Sequence, residues 1–175
     1  MSKSSDVTIR RLVPDDAEGY RALRLRGLAG HPDAFTSSFE DEAKRPFEDT
    51  VLRLAADGAE AVYGGFAGGA LVGVAGLGRE PRTKNRHKAV VFGMYVAPEQ
   101  AGRGTGAALL RHVIDEARRQ SGLEQLVLTV TETNATAVRL YEKLGFRSFG
   151  VEPRAIRVDG AYFGKIHMIL FLDRP

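Results

Sequence analysis

The chain has no cysteine, which excludes disulfides, thiolate metal sites and a cysteine nucleophile. Its four histidines, His31, His87, His112 and His167, lack the spacing of metal ligands. No metal is expected, and each histidine reads as a surface or packing residue. No apolar run approaches the roughly 18 residues that a membrane span needs. No leader is expected either: residues 1–6 are short and polar and are expected to be a disordered tail. A cytoplasmic protein without a membrane partner is the expectation. Nor is there an excess of one charge, since 25 basic residues face 22 acidic ones. The one basic concentration, Arg79, Arg82, Lys84, Arg86 and Lys88, has no interleaved aromatics. It reads as a solvated hairpin tip, and no nucleic-acid partner is expected.

What is there, 43% apolar and 27% charged residues, is ordinary for a globular chain, and the length fits one domain over residues 7–175. The organising stretch is residues 94–110. The apolar run Ala89-Val-Val-Phe92 leads into it as a strand that ends before Pro98. Gly102, Gly104 and Gly106 follow. Leu110, Val113, Ile114 and Ala117 then fall at i, i+3, i+4 and i+7, the spacing of a helix. Three glycines at a helix N-terminus let unpartnered amides and the positive end of the helix dipole approach a ligand closely. That is the chemistry of a phosphate cradle. A P-loop is excluded because no lysine follows Gly106. Gly102-x-Gly104-x-x-Ala107 matches the letters of a dinucleotide fingerprint. However, Pro98 to Ala101 separate it from the strand, and the acid expected about 20 residues on is missing.

Taken in order, residues 7–13 alternate as a first strand, and Pro14-Asp-Asp16 opens a helix with Tyr20, Leu23 and Leu28 inward. Residues 31–46 are too punctuated at their start for a regular element, and residues 48–56 form a helix with Val51, Leu52 and Ala55 inward. Residues 61–66 and 70–77 are strands about a glycine turn, and 89–96 is the central strand. After the glycine loop and its helix, capped by Gly122, residues 126–131 form a strand. Asn134 caps a helix with Ala137, Leu140, Tyr141 and Leu144 on one stripe, stopped by Gly145. A strand from Phe146 is broken at Val151-Glu-Pro153, and residues 162–172 form the last strand after the Asp159-Gly160 turn. This alternation of helices and strands argues an α/β fold.

Val96-x-Pro98-Glu99-x-x-Gly102-Arg103-Gly104-x-Gly106-x-x-Leu109-Leu110 resembles the coenzyme A pyrophosphate loop of the GNAT superfamily of acyl-CoA N-acyltransferases. Asn134-x-x-Ala137-x-x-Leu140-Tyr141-Glu142-Lys143-Leu144-Gly145-Phe146 resembles that family's second block, at its usual distance. Together the blocks span about a third of the chain. One residue departs: the family usually has Gln or Arg before the first loop glycine, where this chain has Ala101. A side-chain contact is lost there, while the backbone cradle is expected to survive.

The resemblance implies a mixed, mostly antiparallel central sheet with helices on both faces and two strands splayed apart at the cofactor site. It implies acetyl-CoA as cosubstrate. Its pantetheine arm would pair along Met94, Tyr95 and Val96, and its pyrophosphate would lie on the amides of Gly102, Arg103, Gly104, Thr105, Gly106 and Ala107. Asn134 joins that cofactor set. The acceptor would be an amine of a small molecule or peptide, attacking in a ternary complex; a homodimer is left open. Tyr141 matches the family's general acid, although a tyrosine on a helix stripe is ordinarily core. The central strand carries no acid, so Glu132 is named as candidate base, with Glu40, Glu42 and a water relay as alternatives. Two rivals stay open: a coenzyme A-binding regulatory domain without turnover, and a nicotinamide enzyme.

Overall fold

The computed structural model describes residues 7–56 and 59–172; the expected tail over residues 1–6 lies outside them. Seven strands form one sheet in the order β1-β2-β3-β4-β5-β7-β6. In chain order the elements are β1 (Thr8–Arg11), α1 (Ala17–Gly30), α2 (Phe39–Lys44), α3 (Phe47–Ala55), β2 (Glu60–Ala67), β3 (Ala70–Arg79) and β4 (Lys88–Val96). They continue with α4 (Thr105–Arg119), β5 (Gln125–Thr131), α5 (Ala135–Lys143), β6 (Arg147–Val158) and β7 (Ala161–Phe171). Every pairing is antiparallel except β4 with β5, so the sheet is the mixed, mostly antiparallel one expected. Among the described residues no helix is long and apolar enough to cross a membrane.

Alternation along the strands divides the core between two faces. On one, Ala75, Leu77, Ala89, Val91, Leu126 and Leu128 pack under Leu109, Leu110 and Val113 of α4. On the other, Val62, Val74 and Tyr95 pack under Tyr20 and Leu23 of α1 and Leu54 of α3. Two hairpin turns have φ > 0 at both central residues, Gly68 with Gly69 and Asp159 with Gly160, which suits the twist of the flanking strands.

Residues 31–38 hold no helix or strand, as expected, and residues 39–44 follow as a helix, α2, started by Ser38, whose hydroxyl accepts from Asp41 N at 3.1 Å. Two local expectations are corrected. On α3 the buried residue is Leu54, not Leu52 or Ala55; Leu52 is 67% exposed. The inward stripe there is Val51 and Leu54, spaced i, i+3. Finally, Pro153 does not break β6, which runs unbroken from Arg147 to Val158. β6 is an edge strand, where a missing N–H costs no ladder bond, and the chain absorbs Pro153 in an irregularity between Glu152 and Ile156.

Two features of β4 position the site. It pairs with β5 over only three residues, Lys88, Ala89 and Val90, and then the two strands part. It also bulges: Val74 pairs with Tyr95 but Gly76 with Phe92, with Gly93 at φ 60° between them. The bulge sends Met94 toward the α4 face and Tyr95 toward the α1 face. Phe92 lies flat across Gly76, where an added Cβ would come within 2.3 Å of the ring. Gly76→Ala is therefore expected to cost about 1–3 kcal/mol by overpacking. Thermal unfolding of Gly76→Ala, Phe92→Leu and the double variant checks this; strict additivity of the two losses would overturn it.

Candidate functional site

A cleft of about 1270 Å³ opens where β4 and β5 part. Met94, Tyr95, Val96, Gly102, Gly104, Thr105, Gly106, Ala107, Asn134 and Tyr141 all line it, so the fold brings together most of the residues singled out from sequence. Arg103 does not line it; its side chain is on the exposed surface of the loop. Tyr95 also does more than border the cleft. Its ring is buried against Phe35, at 6.4 Å between centroids, and against Gly27, whose Cβ would lie 3.0 Å away.

The loop from Pro98 to Gly104 turns the chain from β4 into α4. Gly102 (φ 72°) and Gly104 (φ 81°) need the left-handed region, and Gly104 is the N-cap of α4. Gly106 has no such φ; it lies in the first turn of the helix. There a Cβ would meet Leu140, Met94 and Val96 at 3.4–3.6 Å, so its role is close approach of α4 to β4 and α5. The first intrahelical bond is Ala108 N to Gly104 O, at 2.9 Å. The N–H groups of Thr105, Gly106 and Ala107 precede it and have no partner inside the helix. Space is open at Gly102 and Gly104, with no atom within 4 Å of an added Cβ. An anionic group can reach these amides from the cleft, and the donor set fits a pyrophosphate.

On the opposite wall Asn134 caps α5, its Oδ1 accepting from Ala137 N at 3.2 Å. That cap sets Tyr141 facing Met94 across the cleft. Tyr141 is 8% exposed, and its ring meets Phe146 edge-on at 5.9 Å. Its hydroxyl donates to the Met94 sulfur at 3.7 Å, a weak acceptor. Burial pushes the phenol up to about 12, so the hydroxyl keeps its proton.

Glu132 is not delivered to this cleft. Its carboxylate accepts from Gly164 N at 2.9 Å, on an exposed stretch outside the lining residues. Glu42 is paired with Arg24 at 3.1 Å, and Glu40 lies outside the cleft. Two groups set aside or passed over in the sequence stand in the cleft instead, His167 and Lys165, both on β7. The Nε2 of His167 is 3.4 Å from Glu152 Oε2, and its ring meets Phe149 at 5.9 Å. The available signal was the i, i+2 spacing of a lysine and a histidine on an otherwise apolar strand, which puts both on one face.

A splayed pair of strands ending at a glycine-capped helix defines a fold built to thread an extended, phosphate-ended ligand through a sheet. Residues 28–146 match the family described as acetyltransferase (GNAT), and the chain belongs to that family. It is 34% identical over 163 residues to the mycothiol acetyltransferase of Acidothermus cellulolyticus, covering 84% of this chain and 46% of that one. The chain thus spans about half the length of that relative. With the N-alpha-acetyltransferase RimI of Mycobacterium tuberculosis it shares 33% identity over 155 residues, covering 89% of this chain and 87% of the other. Among solved structures, a putative acetyltransferase of Salmonella typhimurium with its cofactor acetyl-CoA superposes with a TM-score of 0.77. That pair is 26% identical, with 98% of this chain and 96% of the other covered.

Valine at two loop positions is expected to weaken acetyl-CoA binding for different reasons. Gly104→Val forces a β-branched residue to positive φ, and Gly106→Val pushes α4 off Met94 and Leu140. Ala101→Arg, which restores the family's usual residue, is expected to leave binding unchanged or tighten it. Titration calorimetry with acetyl-CoA reads all three; full affinity in both valine variants would place the pyrophosphate elsewhere.

Proposed function

We propose that the chain is an acetyl-CoA-dependent N-acetyltransferase acting on a primary amine. The observation that supports this reading is that the Tyr141 hydroxyl, 3.7 Å from the sulfur of Met94 on β4, and the glycine cradle line one cleft. Residues 91–96 of β4 have no strand partner on the β5 side, so an extended amide-bearing ligand can complete their hydrogen bonds. The amides at the start of α4 hold its phosphates. Acetyl-CoA, when bound, supplies an activated thioester, whose carbonyl carbon gains the amine nitrogen as the carbon–sulfur bond breaks.

The chain's own groups then manage two protons. An ammonium acceptor must lose one before its nitrogen can attack; two imidazoles line the cleft, His31 and His167, and His167, held 3.4 Å from the Glu152 carboxylate, is the one assigned to receive it. The departing sulfur must be stabilised and finally protonated. Tyr141 donates a hydrogen bond toward it as negative charge develops, and the proton lost from the amine makes good the one that Tyr141 gives up. The net change is one amide and one thiol formed, with one proton released from an ammonium acceptor. The acceptor classes in the names of the two relatives, mycothiol chemistry and a protein N-terminus, differ from each other, so neither is carried over.

Acetyl-CoA at 100 times its Kd is expected to add about 2.7 kcal/mol of stability, read as a raised Tm, and NAD none. A shift with NAD alone would sink the reading. Tyr141→Phe keeps the ring packing and is expected to lower kcat about 10²–10⁴-fold at unchanged acetyl-CoA affinity. Normal turnover with a lowered Tm would make Tyr141 a core residue only. Binding of acetyl-CoA without turnover of any amine would favour a regulatory domain. The pH profile adds a separate check. Because burial holds the Tyr141 proton up to about 12, kcat/KM is expected to show no Tyr141-dependent fall near pH 10.

A further inference from the structure

We propose that Lys165 anchors a carboxylate on the acceptor, so that the preferred amines are small zwitterions, above all α-amino acids with apolar side chains. This rests on the acetyltransferase reading above and narrows its acceptor. Lys165 is 5% exposed yet lines the cleft, two residues from His167 on the same face of β7. Its Nζ donates to Ala34 O at 3.2 Å and to Thr131 Oγ1 at 2.9 Å. The Thr131 hydroxyl spends its own proton on Asp33 O, so toward Lys165 it can only accept. Two of the three ammonium donors are thereby committed to neutral oxygens, and one is left over.

Among the described residues no carboxylate forms an ion pair with Lys165. The guanidiniums of the same cleft are answered: Arg24 by Glu42 and Arg53 by Glu60, each at 3.1 Å. A buried cation without an acid is costly, and here burial lowers its hold on the proton, opposed by the charge of Asp33. A ligand carboxylate supplies the missing partner and takes the remaining donor. One donor suits one carboxylate oxygen, and the nearby Asp33 charge disfavours a dianion such as phosphate. Both signs are present, with Asp33 and Lys165 lining one cleft, as a zwitterion requires. Val90, Phe92, Val127 and Phe149 also line it and offer an apolar seat for a side chain. A peptide N-terminus has an amide where the amino acid has its carboxylate, and it leaves Lys165 unanswered.

The test pairs each of L-alanine, L-valine, L-leucine, L-methionine and L-phenylalanine with its own carboxamide in acetyl-CoA-dependent thiol release. For the best amino acid, kcat/KM is expected to exceed that of its amide by about 10–100-fold, the worth of one hydrogen bond to a charged group. In Lys165→Met the ratio of the amino acid's kcat/KM to that of its amide is expected to fall to within about threefold of one, whatever common loss the two share. Binding without turnover gives a second reading: calorimetry of the amino acid and its amide on protein with coenzyme A added. Wild-type protein is expected to discriminate there as well, which needs no variant to fold. Amides or peptide N-termini accepted as well as amino acids by wild-type protein would overturn the proposal. So would an equal loss on both substrates in Lys165→Met. Failure of acetyl-CoA to raise Tm, with no thiol release from any amine or amide, would instead remove the acetyltransferase reading beneath it.

Discussion

The parting of β4 from β5 after three paired residues is the constraint on which the rest of the site depends. A gap at the edge of a sheet would fray, but this one is interior. β4 keeps β3 along its other side, apart from the bulge, and β5 keeps β7, so each wall is held by an antiparallel ladder. The gap therefore persists as a slot with rigid sides and unpaired backbone groups facing inward. Unpaired buried amides are costly in a folded protein, which makes the slot a place for a ligand with amides of its own.

The bulge at Gly93 gives that slot two different mouths. By adding a residue to β4, it turns Met94 toward α4 and α5 and Tyr95 toward α1. On the first side stand the helix N-terminus, the Asn134 cap and the Tyr141 hydroxyl, all suited to a phosphate-ended donor and its leaving group. On the other stand the loop after α1 and the inward face of β7, with Asp33, Lys165 and His167. In the proposed reaction, donor and acceptor would thus meet through the sheet rather than along one surface. Lys165 also ties the two mouths together, since its bonds to Ala34 and Thr131 hold the α1–α2 loop against the end of β5.

Much of the donor side was legible in the chain because its determinants are local. Gly102 and Gly104 need positive φ for the turn that they themselves make, and Asn134 caps a helix three residues away from its own backbone. The hairpin turns at Gly68-Gly69 and Asp159-Gly160 are of the same kind. Errors arose where neighbours distant in sequence decide. Leu52 and Leu54 are both apolar, and only the packing of α3 against β2 and α1 selects Leu54. Pro153 reads as a break until β6 proves to be an edge strand. Where the Glu132 carboxylate sits is likewise set from a distance, by the N–H of Gly164, 32 residues later.

Residue order by itself determined the order of most elements, the cradle at the start of α4, the cap of α5 and the stripe that carries Tyr141. Each follows from backbone sterics and hydrogen bonds that close within a few residues. Tertiary structure alone decided the side where the acceptor is proposed to sit: that β7 lies beside β5, that Lys165 and His167 line the cleft, and that among the described residues no carboxylate forms an ion pair with Lys165. Lys165 donates to Ala34 across 131 positions of chain. Burial and charge compensation are properties of what surrounds a group in space, and a linear reading has no term for neighbours that only folding supplies.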